Sequence, residues 1–362
     1  MSPTKRFVPL LLLVAWAFPA VGAPYYQNNL TAGSAWLATR STLPDGAIFY
    51  TANRIVPYYG NLAALGWTKD RTQYARVQTW IQWYLKHLNW PDKWGLYGTI
   101  YDYNVSGITE TSTGTADSTD SYAATFLSLA WAYWQTGDAN ARQFILSLGA
   151  YQFDVIGNVI TQTQQHDGLT WARPDYQIKF LMDNCEAYEG LRDLASLFQS
   201  AFGNASAAAW YNAQAAAMLQ GIQNELWSAG NQLYLPYAGA SSVNLANWYP
   251  DAVAQLFPVL NGVIAPTSAR AKSVYSVFNK AWPEWPTLSF NSQDPFPWVL
   301  VSGAAILMGD ANRVNVYLTA IQNKYLSAGF PWPWYDAEAG WFMRVNSRMG
   351  RKLPHWELRT GN

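Results

Sequence analysis

The feature that most limits how this chain can fold is an alternation of two helix types with no break between them. Apolar helices rich in Ala, Leu, Val and aromatic residues recur, each followed by a longer and more polar helix. A helix that is apolar all round must be enclosed by other protein, and its polar partner then covers it from outside. The pairs fall at residues 56–65 with 69–88, 118–134 with 139–152, 183–200 with 206–227, 250–260 with 267–281, and 297–308 with 310–326. Within 69–88, Tyr74, Val77, Ile81, Tyr84 and Leu85 stand at helical spacing. A further helix over 31–39 opens the series. Between pairs, strands are expected at 95–102 and 158–163, with a hairpin over 226–235 that turns at Gly230-Asn231. Five pairs, with one helix at each end or a sixth pair, close into a double ring.

Charge and composition narrow the ligand. The chain carries 23 Lys plus Arg against 23 Asp plus Glu among 362 residues, and no basic run marks a nucleic-acid surface. Twenty Trp, 23 Tyr and 15 Phe accompany many Asn, Gln, Ser and Thr, a composition suited to a neutral, hydroxyl-rich ligand. Cys185 is the only cysteine, so no internal disulfide forms, and a buried, inert thiol is expected. Three His and one Cys give no Cys/His metal set. Neither a Gly-rich phosphate loop nor a nucleophile elbow is present. No cofactor and no metal are expected.

The start has the form of a secretory leader. Lys5 and Arg6 precede an apolar run over 7–18, which Pro9 interrupts, and Val21 and Ala23 occupy the small-residue positions. The run is shorter than a membrane span. The reading is a leader over 1–23 and one domain over 24–362, secreted or periplasmic, free of membrane after cleavage, and monomeric. Asn29, Asn104 and Asn204 head sequons that matter only in a glycosylating host.

Asp117, Asp183 and Asp251 recur at nearly equal intervals, each near the start of an apolar helix, and Asp294 precedes the fifth. Together with the motifs Pro57-Tyr-Tyr-Gly-Asn-Leu-Ala-Ala64, Asp117-Ser-Thr-Asp-Ser-Tyr-Ala-Ala124, Asp183-Asn-Cys-Glu-Ala-Tyr-Glu-Gly190 and Asn247-Trp-Tyr-Pro-Asp251, this pattern resembles the six-hairpin glycosidase-like superfamily. The resemblance runs over residues 28–345. It implies an all-α (α/α)6 toroid, glycoside hydrolysis at one mouth of the inner ring, and inversion more often than retention.

Hydrolysis of that kind uses two carboxyls, one to protonate the leaving oxygen and one to activate water or attack the sugar. The candidates are Asp45, Asp117, Asp120, Asp183 and Glu186. Helix capping accounts for an acid at a helix start equally well. Asp45 in its Pro-Asp-Gly turn and Glu186 inside its helix best escape that duty, so either is the expected acid, with Asp120 or Asp183 as base. Sugar contacts are expected from Tyr58, Tyr59, Asn61, Trp171, Arg173, Trp248, Tyr249, Asp251 and Trp298. The run 330–334 either lines the rim or packs the end of the ring. Two rivals stay open. One is a lyase on uronate-rich glycan, using a Tyr or His166 with Arg173 or Lys179. The other is a non-catalytic glycan binder. The paired inner-ring His expected of an epimerase on this fold are missing.

Overall fold

The computed structural model describes residues 22–289 and 294–351. The helices are α1 (Ala23–Ala38), α2 (Pro57–Trp67), α3 (Tyr74–Lys86), α4 (Thr119–Trp134), α5 (Ala139–Leu148), α6 (Ala150–Thr163), α7 (Leu181–Ser200), α8 (Ala205–Gly221), α9 (Phe257–Leu260), α10 (Ala269–Ala281), α11 (Val299–Leu307), α12 (Ala311–Lys324) and α13 (Asp336–Gly350). β1 (Arg54–Ile55), β2 (Tyr103–Ser106) and β3 (Thr109–Ser112) form a small antiparallel sheet, and β4 (Trp227–Ser228) pairs with β5 (Leu233–Tyr234).

The apolar helices close on one another. α2 packs on α4, α4 on α7, α7 on α9, α9 on α11, α11 on α13, and α13 returns to α2. Around this inner ring, α3 covers α2, α5 and α6 cover α4, α8 covers α7, α12 covers α11 and α1 covers α13. α10 reaches the approach to α9 through Phe278, whose ring lies 5.8 Å from that of Trp248. The molecule is an (α/α)6 toroid. Its inner helices are rich in small residues because their backbones nearly touch. A Cβ on Gly340 of α13 would fall 2.1 Å from the Leu62 carbonyl oxygen of α2, and one on Gly190 of α7 would fall 2.6 Å from the Ala124 Cα of α4.

The sixth pair joins the two ends of the chain. α1 lies on α13, with the buried Asn29 amide donating to Asn346 Oδ1 at 3.1 Å, while the Tyr26 hydroxyl reaches Asn315 on α12 at 2.6 Å. The first of the three sequons therefore sits inside a packed interface. α1 starts at Ala23, well before the expected residue 31, and α13 is the closing helix for which the sequence set no bounds. The expected leader, residues 1–23, falls almost wholly outside the described residues, and so does His355. Among the described residues, no single helix is long and apolar enough to cross a membrane.

Other differences have local causes. The expected strand at 158–163 is the end of α6. Its β-branched residues bury Ile156, Val159, Ile160 and Thr163 at helical spacing, and tertiary burial overrides their strand propensity. The expected helix over 139–152 breaks at Gly149, whose φ of 79° ends α5 before α6 starts. Residues 95–102 are irregular because Asp92 Oδ1 collects the Trp94 and Leu96 amides at 2.8 and 2.9 Å, and the hairpin comes later, at β2–β3. The helix expected over 250–260 is a π turn at Trp248–Ala252, with Tyr249 extended, followed by the short α9. The 226–235 hairpin forms as β4–β5, and Cys185 is buried and unpaired in a disulfide.

Candidate active site

The N-terminal ends of the inner helices meet at one mouth. Tyr58 of α2 stacks on Tyr122 of α4 at 5.9 Å, and Tyr59 lies 5.0 Å from Tyr335, the N-cap of α13. Tyr249 lies 5.2 Å from Trp298, the N-cap of α11. Across the opening, Asp183, Asp117 and Glu186 all act electrostatically on Tyr249. Starts of helices α2, α4, α7, α11 and α13 thus stand together at one end of the ring.

On one side stand the acids of α4 and α7. Asp120 is 0 % exposed, and it accepts the Thr170 hydroxyl at 2.6 Å and the Ser121 amide at 2.9 Å. Burial outweighs those bonds and pushes its carboxyl up to about 7. Glu186 accepts the Tyr58 hydroxyl at 2.6 Å, yet burial and the charge of Asp120 raise it to about 8. Asp183, one helical turn before Glu186 and on the same face, is half-buried and accepts no side-chain hydrogen bond from another described residue. Burial and the neighbouring carboxylates of Asp120, Glu186 and Asp117 hold it well above the usual carboxylate range. Asp117 is exposed at the rim. The helix N-termini favour negative charge here, and burial with mutual repulsion overcomes that preference.

The other side carries acids that the sequence reading missed. Asp336 and Glu338 open α13, which is three places round the ring from α7 and so diametrically opposite. Glu338 accepts the amides of Trp298 and Val299 at 3.0 and 2.7 Å, which caps α11 from a neighbouring helix, and burial raises it to about 7. Asp336 is fully buried among Tyr50, Tyr59 and Tyr335, and neither carboxyl oxygen has a hydrogen-bond partner among the described residues. Burial raises it well above its ordinary value, and the charge of Arg40 offsets this in part. The available signal was the same one that marked the other inner helices: an acid just ahead of small residues, here Asp336-Ala-Glu-Ala-Gly340.

Several expected site residues stand elsewhere. Asp45 is exposed in a turn against α3, where Gly46 meets Thr79, and its carboxylate accepts the Ala47 amide. Asn61 is fully buried and committed to Trp80, Thr125 and the Tyr122 carbonyl. Trp248 is a core residue against Phe278, Trp282 and Trp298. Asp251 ties its own loop through the Asn244 amide and the Asn247 side chain. Arg173 donates to the Ala116 and Asp117 carbonyls and pairs with Asp175, so it fixes the loop that carries Asp117. Trp171 is half-buried between Thr170, which bonds Asp120, and Ala172, whose carbonyl accepts from Thr119. Trp298 and the 49 % exposed Tyr249 do stand at the mouth, as do Tyr58 and Tyr59. In the 330–334 run, Trp334 packs inward on Phe330 and Phe342, while Trp332 is exposed beside Phe296 and Tyr50.

No protein-family profile matches the chain, and no curated sequence does. Solved structures do match. A wild-type glycosidase superimposes with a TM-score of 0.64 at 12% identity, over 91% of this chain and 98% of that one. A mannosylglycerate hydrolase of family GH63 from Thermus thermophilus, in complex with glucose, gives 0.63 at 12% identity over 87% and 98%. A rhamnosidase from Klebsiella oxytoca with rhamnose bound gives 0.58 at 11% identity over 85% of this chain and 56% of that one. At this identity the likeness is one of fold.

Proposed function

We propose that the mouth is the active site of a glycoside hydrolase, with Asp183 as general acid and Asp336 as general base. The observation that carries this reading is the state of Asp183. It is half-buried, accepts no side-chain hydrogen bond from another described residue, and lies near three other carboxylates, which together with burial favour the protonated form that a general acid needs. Asp183 would transfer that proton to the glycosidic oxygen as the carbon–oxygen bond breaks. Asp336, opposite on α13, would act in its ionised form, which the charge of Arg40 favours against burial, and take a proton from the water whose oxygen bonds to the anomeric carbon. Two unbonded oxygens in a buried carboxyl leave acceptor capacity that a single water could fill. Carboxyls on opposite walls with a water between them are the inverting arrangement.

Three solved relatives in fold are a glycosidase and two named sugar hydrolases, two of them with glucose or rhamnose bound, which supports a sugar as the ligand. The lyase reading loses support because its two cations are engaged, Arg173 as described and Lys179 on Asp167. A leader over 1–23 would put the reaction outside the cytoplasm, which the N-terminal mass of exported protein would check.

The test is leaving-group dependence on a panel of aryl glycosides and disaccharides. Asp183→Asn should slow poor leaving groups by roughly 10²–10⁴-fold and spare activated aryl groups, which need no proton. Asp336→Asn should slow both alike. Equal sensitivity of the two variants would remove the assignment.

A further inference from the structure

Beside the acid, the structure carries a row of partly exposed aromatic rings that the two-carboxyl chemistry does not use. Phe180 is the N-cap of α7, three residues before Asp183, so it stands at the mouth end of the helix that carries the acid. Tyr176 lies 5.9 Å from Phe180 on one flank, and Tyr237 lies 6.3 Å from it on the other. Tyr176 and Tyr237 are 45% and 40% exposed. Packing does not need them there, because exposed apolar rings that lie next to one another mark contact surfaces rather than core.

The row is rigid. Arg173 and Tyr176 exchange both backbone hydrogen bonds, at 3.2 and 3.0 Å. Leu181 and Ala238 donate to the Pro236 and Lys179 carbonyls, which locks the Tyr176 loop to the Tyr237 loop. The Arg173 guanidinium lies 5.5 Å from the Tyr176 centroid and holds the ring in place. The charges nearby are internally paired, Arg173 with Asp175 and Lys179 with Asp167. The surface offered is therefore neutral and aromatic, with neighbouring rings inclined at 48° and 78° and phenol edges for hydrogen bonding. That chemistry fits the apolar faces and hydroxyls of successive neutral sugar units.

We infer that Tyr176, Phe180 and Tyr237 form subsites for further units of a neutral oligo- or polysaccharide whose scissile bond lies at Asp183. This rests on the hydrolase reading above and deepens it: the substrate class is a glycan chain, not an isolated small glycoside. Aromatic stacking at a fixed ring contributes about tenfold in binding per ring.

Two measurements on the full chain separate this inference from the hydrolase reading. The first is native affinity electrophoresis in gels containing laminarin, mannan, xylan or dextran, which needs no catalysis. At least one glycan should retard the protein, Tyr176→Ala/Tyr237→Ala should restore free mobility, and Asp183→Asn should stay retarded. The second is the ratio of kcat/KM for a hexasaccharide of that glycan over its aryl monoglycoside, which should fall roughly a hundredfold in the double variant. Tyr151→Ala, an exposed ring on α6, should change neither result. Absence of retardation by every glycan, or retardation that survives the double variant, overturns the inference even if aryl glycosides are still cleaved. Retardation that the double variant abolishes supports it even if no hydrolysis is found, and in that case the hydrolase reading fails by itself.

Discussion

The two halves of α7 carry equally buried acids in opposite company. Toward the mouth, the charges that act most on Asp183 and Glu186 are those of other acids, Asp120 on both and Asp117 on Asp183. One and two turns further along, Glu189 and Asp193 face Arg344 of α13 and Arg192, whose charges counter the effect of burial. Arg344 in turn is held against the Trp341 ring at 3.8 Å. In the lower half, cations from α13 and from α7 itself oppose part of the effect of burial. Burial raises the acids of both halves, Asp193 as well as Asp183, but the charges that act most on the upper pair are those of other acids, while cations oppose the shift in the lower pair. Buried acids alone do not mark a reactive site; acids whose counter-charge is missing on the side open to solvent do.

The largest effect expected from this contrast is on turnover. Asp183→Asn should lower kcat on an unactivated glycoside by roughly 10³-fold, whereas Asp193→Asn should change it by less than about threefold. Steady-state rates on one substrate decide this, and similar losses would erase the distinction between the halves. On stability the order reverses. Arg344→Met should lower the unfolding free energy by about 2 kcal/mol at pH 7, because Glu189 and Asp193 lose their counter-charge. The loss should be smaller at pH 5, where both acids can keep protons, and urea melts at the two pH values read it directly.

The mouth acids also set the response of the fold to pH. Asp120 and Glu186 bind protons more tightly when folded, at about 7 and about 8, than their ordinary values of 3.8 and 4.5. Between those limits the unfolded chain has released protons that the folded one keeps, so stability is greatest below pH 4 for these groups and falls as pH rises to 8. Glu186→Gln should flatten part of that slope in denaturation midpoints taken from pH 4.5 to 8.5. The smallest effect is expected from Tyr58→Phe. Its hydroxyl lowers the Glu186 carboxyl, so its removal should raise proton affinity there and cost about 1 kcal/mol or less.

The ring was legible because periodicity reports burial directly: α4 is apolar on every face, and every residue from Thr119 to Tyr133 is buried. The acids of α4 and α7 were legible because each stands at a helix start. What failed was reach. Asp45 has the right chemistry, but only the tertiary path shows that its turn runs against α3. Asn61 and Trp248 have sugar-binding side chains, and the fold uses both for internal contacts. Asp336 was missed because the last inner helix follows an aromatic and proline-rich run that masks its start, and no local signal says that α13 faces α7.

The closure of the ring by α1 and α13 has a consequence for how the molecule is made. α1 emerges from the ribosome before its partner, with Tyr26, Leu30, Gly33 and Leu37 ready for a helix that is synthesised about 300 residues later. Each of the other five pairs can dock as soon as its hairpin has emerged, since its two members are neighbours in sequence. The pair that seals the circle is the one whose members stand far apart along the chain. An apolar stripe on α1 therefore waits uncovered while the other five pairs are made, and the ring is an open arc until α13 arrives.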